Sequence, residues 1–569
     1  MTKQKTILFF VLSIGLFIFS RSFASAGENF FVDPSYDWQG RTQLNAALKK
    51  ESQFAYWYFE EEYWNSLTGS DQNRITQALD EVSQEFDSVI YPRLTDLLGS
   101  VWTPGIDNDP KITILLTRLI DTAGGYFNTN DEYAKDKVQS TNQREMFYIN
   151  TRFLTESRVK GFIAHELQHL ITFYQKDILR NVTDEVWLNE ARSEIAPQIL
   201  GYENPYTGSN LQNRVSAFLS QPSDSLIEWR NNSADYGNVN IFSQYLLDRY
   251  GQDFFGETLR TTSIGIASIN EALTKLGFQE TFPQVFTDWT VANLINNCNV
   301  SPQHTYCYRN PDLTYGNLHI TFQQEYGAGE RITQVESLKD WEATWQEFSP
   351  ASGITKNVLE LDFVSFVKNA VFRLPTVITK NTGEVIVNFL TIAPAENGGV
   401  RGKTYIEGFG RDVSKVVVIP SNQTYVVSSD VVPISYTLTA ALFNSRPVLV
   451  VPPYADGSLL RETGGEKVYV TNGRYKRWIP SSMIFEMYGH LKWKNIIEVS
   501  KDELDYYQES FLARAAGDER VYEIGNGTVK HWLNMTGEGF SFSGRNWESV
   551  FTINERERNY YYPGREVTN

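Results

Sequence analysis

The chain has 569 residues, of which 41% are hydrophobic and 21% charged, the balance of an exported or cytosolic globular protein of roughly two to four domains. Its formal net charge of −17 disfavours nucleic acid and anionic lipid surfaces as partners, because both are themselves negatively charged. Aromatic residues reach 14%, which indicates much β-structure.

The first 26 residues have the layout of a secretory signal peptide. Lys3 and Lys5 give a positive start, an apolar run covers 7–20, and the small residues at 24–26 are typical of a cleavage site. Because the apolar run is shorter than the roughly 20 residues of a spanning helix, cleavage is favoured over an uncleaved anchor. The sequence predicts a protein that is secreted or held at the cell surface, with no transmembrane span when mature.

Residues 27–350 are predicted to form one α+β domain. Apolar residues recur at helical spacing over 71–98, and buried or edge strands are predicted at 111–120 and 145–150. Further helices are predicted over 156–177, 184–200 and 237–250.

The remaining chain is predicted to be β-rich. Residues 351–450 consist of short β-branched and aromatic runs between turns, which is typical of a β-sandwich. An internal repeat follows, predicted as one module over 451–515 and a second over 516–569, with Trp478 matching Trp532. The aromatic residues of the repeat could recognise a cell-wall, glycan or protein ligand. They could instead form the cores of the two small modules, and this second interpretation is favoured. The predicted fold class is therefore α+β and multidomain.

Cys298 and Cys307 are the two cysteines of the chain. A pair nine residues apart in an exported chain predicts a disulfide bond. A zinc site made of thiolates needs more cysteines than the chain has.

The pentapeptide HELQH, His165 to His169, indicates a metal site. Histidines four apart on one helix can reach the same ion with their ring nitrogens, and zinc accepts neutral imidazole. At about 100° per residue, the apolar side chains of Ile163, Leu167 and Leu170 fall on the opposite face and can anchor the helix. Glu166 is angled towards water on the ion.

A zinc site that performs hydrolysis needs a third protein ligand and an open position. Glu190 follows His169 by 21 residues, which leaves room for a turn and an antiparallel helix. Glu194 lies one helical turn further on the same face. It is predicted to receive the other ring N–H of a ligand histidine, with His165 preferred, and to fix its tautomer.

HELQH followed by NEARSE resembles the gluzincin pattern HExxH…NExxS(D/E). Over about residues 40–445 the chain resembles the hyicolysin family of secreted bacterial zinc metallopeptidases, through the phrases IYPRLTDLLG, KITILLT, GGYF, EMFYIN and YGNVNIFSQYLLDRYG.

The resemblance implies a zincin-type metallopeptidase domain and a zinc endopeptidase that acts on a protein or peptide substrate. His165, His169 and Glu190 would be the zinc ligands, and Glu166 the catalytic base. Glu194 departs from the aspartate of thermolysin-like enzymes, which puts the geometry around the ligands in doubt. Two alternatives are an exopeptidase, and a surface adhesin whose zinc site is structural or inactive. Glu166 counts against the adhesin, because a structural site needs no base.

Three residues are candidate donors of a hydrogen bond to the developing oxyanion. Tyr236 is preferred, although a core or surface tyrosine is an equally good interpretation, and His304 and His319 are weaker choices. Residues 123–128 could add an edge strand that binds an extended ligand, but a plain turn is favoured. Residues 107–111 could bind Ca²⁺, but they lack a full ligand set and a solvated turn is favoured.

Overall fold

The computed structural model describes residues 27–314, 318, 320, 324–326, 331–395, 398–424, 432–446, 453–525, 528–543 and 545–568. The predicted signal peptide and His319 lie outside these ranges. Among the described residues, no helix has the length and apolar character needed to cross a membrane. The chain mixes helices with several sheets and is β-rich towards its C-terminal end, which confirms the fold class at that level.

A six-stranded mixed sheet forms the N-terminal part, with the strand order β1-β2-β3-β4-β6-β5. The strands are β1 (Glu28–Phe31), β2 (Gln43–Glu51), β3 (Ala55–Glu60), β4 (Ile112–Thr117), β5 (Gly125–Phe127) and β6 (Met146–Asn150). β3, β4 and β6 run parallel, and every residue of β4 is buried, as expected for a parallel strand covered on both faces. The preference for a plain turn at 123–128 is wrong, because β5 forms the edge of this sheet.

Helices form the rest of this part of the chain and share one apolar core with a face of the sheet. They are α1 (Glu61–Ser66), α2 (Gly69–Glu85), α3 (Tyr91–Leu98), α4 (Val159–Thr172), α5 (Val186–Leu200), α6 (Asn210–Ser220), α7 (Ser233–Tyr250), α8 (Asp253–Leu259), α9 (Gly265–Lys275) and α10 (Phe282–Ile295). π-helical turns at Phe86–Ile90 and Phe173–Ile178 join α2 to α3 and extend α4. The helices predicted from periodicity are all present, with ends shifted by a few residues.

Helix α4 is fixed in place by its apolar side. Ile163, Leu167, Leu170 and Ile171 are buried in the large core that the helices share with the sheet, as the periodicity predicted. Each such side chain contributes about 1.5–3 kcal/mol when it is removed from water. The helix packs against β5, β6 and α5, so its other face is held between the sheet edge and a second helix.

Two five-stranded sheets follow, ordered β14-β13-β17-β10-β7 and β15-β16-β11-β19-β8, with a small ribbon β12-β18-β9. Their strands are β7 (Gln324–Tyr326), β8 (Arg331–Leu338), β9 (Glu342–Ala343), β10 (Gln346–Pro350), β11 (Val358–Ser365), β12 (Phe372–Arg373), β13 (Pro375–Lys380), β14 (Val385–Phe389), β15 (Ala393–Pro394), β16 (Val400–Glu407), β17 (Val413–Val418), β18 (Ser421–Asn422) and β19 (Ile434–Phe443). One apolar cluster joins the two larger sheets. The two larger sheets include β7, β8 and β10, which precede the boundary expected at 351. The division of the chain into domains stays a prediction.

The repeat appears as two five-stranded sheets of the same order, β23-β20-β21-β22-β24 and β28-β25-β26-β27-β29. The first has β20 (Leu459–Glu462), β21 (Val468–Asn472), β22 (Tyr475–Ile479), β23 (Ile496–Val499), β24 (Gln508–Glu509), α11 (Ser482–Glu486) and α12 (Lys501–Asp505). The second has β25 (Leu512–Ala515), β26 (Val521–Gly525), β27 (Val529–Trp532), β28 (Phe551–Ile553), β29 (Tyr562–Pro563), α13 (Gly537–Phe542) and α14 (Glu555–Tyr560). β25 pairs with β26 and β28, so this strand of the second sheet lies before the boundary predicted after 515, and the division itself stays a prediction.

A buried carboxylate joins the two repeat modules. Glu557, on α14 of the second module, is fully buried and accepts a hydrogen bond of 2.7 Å from Arg477 on β22 of the first. It also accepts from the hydroxyl groups of Tyr488 and Tyr561. Both oxygens of the buried carboxylate therefore have partners, and the two buried charges compensate each other, although Nε of Arg477 has no hydrogen-bond partner among the described residues.

Replacement of Glu557 by alanine is expected to destabilise the C-terminal modules by about 3–5 kcal/mol, because Arg477 is left buried without its counter-ion. Urea denaturation of the full chain, followed by hydrogen exchange over 453–568, measures this loss. Glu555→Gln is the matched control, because the Glu555 side chain is exposed and its ion pair with Arg558 is worth at most about 1 kcal/mol. Equal stability of the two variants would contradict the role of Glu557.

Candidate metal centre

Helices α4 and α5 bring three predicted ligands together. His165 and His169 lie one turn apart on α4, and Glu190 lies on α5 in the first turns. The two Nε2 atoms are 3.2 Å apart, and Oε2 of Glu190 is 3.5 Å from Nε2 of His165 and 3.6 Å from Nε2 of His169. These three residues are the group of potential ligands found within 4.8 Å of one another in the described part of the chain.

The triangle has the dimensions that a tetrahedral ion requires. Bonds of about 2.0–2.2 Å at a tetrahedral angle place neighbouring ligand atoms about 3.3–3.6 Å apart. Oε2 of Glu190 is buried and has no hydrogen-bond partner among the described residues, although a buried carboxylate oxygen ordinarily has one. Two imidazole nitrogens and one unpartnered carboxylate oxygen therefore fit a divalent ion such as zinc.

A hydrogen-bond chain sets the tautomer of His169. Oγ of Ser193 lies 3.2 Å from Nδ1 of His169, and the same hydroxyl donates to the carbonyl oxygen of the Gln168 side chain. Because a carbonyl oxygen can only accept, the Ser193 oxygen is left to accept the Nδ1–H of His169. The lone pair of His169 Nε2 then points to the centre, as metal ligation requires. Gln168 in turn donates to Thr172.

Glu194 is fully buried beside the centre, and its main partner is a cation. Its carboxylate accepts two hydrogen bonds from Arg214, of 2.7 and 2.8 Å, and another of 3.0 Å from Asn240. Nδ1 of His165 is 3.6 Å away from the carboxylate, too long for a hydrogen bond. The sequence analysis predicted a ligand histidine, with His165 preferred, as the partner of Glu194; in the structure Glu194 lies between His165 and Arg214.

The electrostatics of the centre favour a cation. Burial raises the pKa of the Glu166 carboxyl group to about 8, and the charges of Glu190 and Glu194 add to the effect of burial. Burial also lowers the pKa of His169 to about 4, which keeps this ring neutral. Burial also acts to lower the pKa of His165, but Glu190, Glu166 and Glu194 together raise it more strongly, so that this pKa rises to about 9. Three carboxylates thus face the two imidazoles.

Edge strand β5 lies against the same helix face. A Cβ atom on Gly125 would lie 2.6 Å from the backbone oxygen of Tyr148 and 2.9 Å from Cγ of Glu166, so glycine permits this close approach. The ring of Phe127 stacks on that of His169 with centroids 6.3 Å apart. Both Glu166 and one predicted ligand are therefore positioned by β5 as well as by α4.

The carboxylates of the centre also affect the pKa values of two tyrosines. Tyr236 lies in the first turn of α7; burial raises its pKa, and so do the charges of Glu190, Glu194 and Glu166. Its hydroxyl donates to Oδ1 of Asn231. Burial likewise raises the pKa of Tyr36, and the charges of Glu166 and Glu190 raise it further. A hydrogen bond with Asn231 acts in the opposite direction but does not cancel the rise. The sequence analysis missed Tyr36, since nothing local distinguishes it from the other 30 tyrosines.

The predicted disulfide is present. Cys298 and Cys307 are bonded, with Cα atoms 5.0 Å apart. His304 lies in the loop that this bond closes, and its Nδ1 is 2.7 Å from the backbone oxygen of Cys298. Among the described residues, the hydrogen bonds of His304 are with its own loop, and none of them joins it to the ligand triangle.

No protein-family model matches the chain, and no curated protein matches it. A solved structure that does match is that of a family GH115 4-O-methyl-α-glucuronidase with specificity for decorated arabinogalactans. The identity is 10% over 60% of this chain, the match spans about half (52%) of the glucuronidase chain, and the TM-score is 0.13. A TM-score this low carries no argument about the fold or activity of the chain.

The prediction of a secreted zinc-dependent endopeptidase is corrected on these findings. Neither a family model nor a curated protein supports hydrolysis of peptide bonds by this chain, so that assignment is not kept. The adhesin alternative gains no support either. The resemblance to the hyicolysin family, the identity of the metal, and the predicted protein, peptide and cell-wall partners are tested by none of these comparisons and stay predictions.

Ser193→Ala is expected to weaken metal binding roughly 10- to 100-fold, because Nδ1 of His169 loses the partner that fixes its tautomer. Competition for zinc against a chromophoric chelator measures the affinity. Ser216→Ala is the matched control: this exposed serine on α6 bonds only to the backbone oxygen of Gln212 among the described residues. An affinity in Ser193→Ala equal to that of the control would sink the assigned role.

Proposed function

We propose that the chain is a metal-dependent hydrolase whose active centre is formed by His165, His169, Glu190 and Glu166. The observation that carries the proposal is the triangle of two imidazole nitrogens and one carboxylate oxygen, with sides of 3.2, 3.5 and 3.6 Å. Zinc is the proposed ion, because it is commonly bound by histidine nitrogen together with carboxylate oxygen. We further propose that this part of the chain has a zincin-type fold, in which a pair of active-site helices lies beside a mixed sheet.

The ligand number supports a hydrolytic role over a structural one. Three protein ligands leave a fourth position of a tetrahedral ion for water or substrate, whereas structural zinc sites usually have four protein ligands. A zinc ion in this place would supply an activated water and would polarise the substrate oxygen. The remaining contributions come from side chains of the chain itself.

Glu166 is the proposed general base. It follows the ligand His165 directly on α4, and contact with β5 restricts its position. In its ionised form it can accept a proton from water and later return it to the leaving group. Tyr236 and Tyr36 are proposed to donate hydrogen bonds to the oxygen on which negative charge develops, because burial and the neighbouring carboxylates keep both phenols protonated.

Purified protein that carries one zinc ion per chain is expected to hydrolyse at least one class in a panel of fluorogenic amides, esters, phosphoesters and glycosides. Removal of the metal by a chelator should abolish that activity, and added zinc should restore it. Glu166→Gln should retain one zinc ion and lose roughly 10²- to 10⁴-fold in kcat, because only the proton transfer is removed. His169→Ala should lose the metal and the activity together. Metal analysis and initial rates on the same preparations provide the measurements.

The matched control is Glu156→Gln, an exposed glutamate that pairs with Arg158 just before α4 and should keep both zinc and activity. If wild-type protein binds one zinc ion yet hydrolyses no member of the panel faster than Glu166→Gln does, the hydrolase proposal fails and a metal-binding role remains. A zinc content that does not change in His169→Ala would refute the ligand assignment itself.

A further inference from the structure

The two repeat modules carry the same pair of aromatic rings. In the second module Trp547 begins a 3-10 turn, and its ring lies over that of Phe540 with centroids 4.1 Å apart. In the first module Trp493 begins the corresponding 3-10 turn and stacks on Phe485 with centroids 4.4 Å apart. Each turn leads into a strand with the same parallel partner, since β23 pairs with β20 as β28 pairs with β25. The two tryptophans therefore occupy matching places in the repeat.

In the second module this place is covered by the preceding sheets. Phe366, which directly follows β11, lies against Trp547 with ring centroids 6.3 Å apart. Gly537 belongs to the same contact, because a Cβ atom there would be 3.5 Å from the ring of Phe366 and 3.8 Å from that of Trp547. Glu548, the residue after the tryptophan, pairs with Arg401 of β16 at 3.3 Å. One aromatic ring and one charge pair thus join the second module to these sheets.

The matching place in the first module is open. The Trp493 side chain is 55% exposed, and its ring contact among the described residues is the stack on Phe485. Met483 stands ten residues before Trp493, as Gly537 stands ten residues before Trp547, and it is 57% exposed. Large apolar side chains that are exposed together, with charged residues at their margin, are typical of interaction surfaces.

The charge beside the tryptophan is reversed between the modules. Glu548 follows Trp547, whereas Lys494 follows Trp493 and Lys492 precedes it. Both lysines are exposed. A positive charge at this position attracts a carboxylate, whereas Glu548 of the second module binds a guanidinium group. The partner of the first module should therefore differ from the preceding sheets in the sign of its charge.

The surrounding charges also bear on what can cover this place. Glu486 and Glu498 are the nearest carboxylates along the chain, and Glu498 is already paired with Arg461 at 2.7 Å. Two copies that met face to face would bring four lysines together, so repulsion disfavours a symmetric dimer. We use the name Trp493 surface for Met483, Lys492, Trp493 and Lys494.

We propose that the Trp493 surface docks a second protein, one that presents an aromatic side chain beside a carboxylate. The contact of the second module with Phe366 and Arg401 shows how the same place in the repeat is covered within this chain. The exchange of Glu548 for Lys494 changes the sign of the charge that the partner must carry. This proposal does not depend on the proposed hydrolase activity.

The test follows the Trp493 signal in the full chain, labelled with 5-fluorotryptophan and observed by ¹⁹F NMR. The signal that is missing from Trp493→Phe identifies this residue, and Trp547→Phe identifies Trp547 in the same way. The probe is a short capped peptide with one phenylalanine between two aspartates, flanked by serine and glycine. One control peptide has alanine in place of the phenylalanine, and another has lysines in place of the aspartates.

The probe peptide is expected to shift the Trp493 signal saturably, with a Kd on the order of 1 mM because the contact is small. Each control peptide should bind at least about 5-fold more weakly, because it lacks the ring or the charge attraction. The advantage over the lysine peptide should shrink as NaCl is added. The Trp547 signal should stay in place, because Phe366 already covers that ring.

Charge reversal at the exposed lysines separates recognition from folding. Lys494→Glu should abolish the preference for the aspartate peptide over the lysine peptide, and the combination of Lys492→Glu with Lys494→Glu should reverse it. Arg474→Glu is the matched control: this exposed residue lies in the turn between β21 and β22 of the same module, and its replacement should leave the preference unchanged.

Several results would overturn the proposal. One is a Trp493 signal that does not move with the probe peptide at about 10 mM, or a preference that survives reversal of both lysines. Another is a signal that moves with a trimer of N-acetylglucosamine and with no peptide, which would indicate a glycan surface. A third is a dimer, seen by sedimentation of the wild-type chain and absent in Trp493→Ser, which would show that a second copy covers the surface.

Discussion

The packing of α4 against α5 is the constraint on which the metal centre depends. Each helix alone carries an incomplete ligand set, and the third ligand atom comes within 3.6 Å of the other two only because both helices are buried in one core. Ser193 and Glu190 lie on the same helix, so the contact that supplies the carboxylate oxygen also supplies the hydroxyl beside His169. Ligand placement and tautomer control are consequences of one helix pair.

Buried carboxylates recur in this chain, and the structure compensates them in different ways. Arg477 neutralises Glu557 between the repeat modules, and Arg214 neutralises Glu194 beside the histidines. Glu190 and the pair Glu132–Glu145 each keep a buried oxygen without a partner among the described residues. Where a guanidinium group is present, it compensates the buried charge of the carboxylate; where it is missing, a cation or a bound proton has to do so.

Apolar periodicity and motif spacing predicted those features of the structure that depend on residues close together in the sequence. The periodicity of α4 placed Ile163 and Leu167 in the core, and the HELQH spacing put both imidazoles on the other face. Contacts that depend on tertiary structure were not accessible: the pairing of Glu194 with Arg214, the approach of Tyr36, and the membership of β25 in the second repeat sheet. The assignment to peptide bonds came from a family resemblance instead of from geometry, since no spacing in the sequence identifies the bond that is cleaved.

Strand β5 holds the proposed base and one predicted ligand from the edge of the sheet. It has only three residues and is paired on one side, so its own hydrogen bonds hold it weakly at the sheet edge. Yet Gly125 and Phe127 of this strand lie against Glu166 and His169. The position of the proposed base therefore depends in part on how firmly this short edge strand is paired with β6.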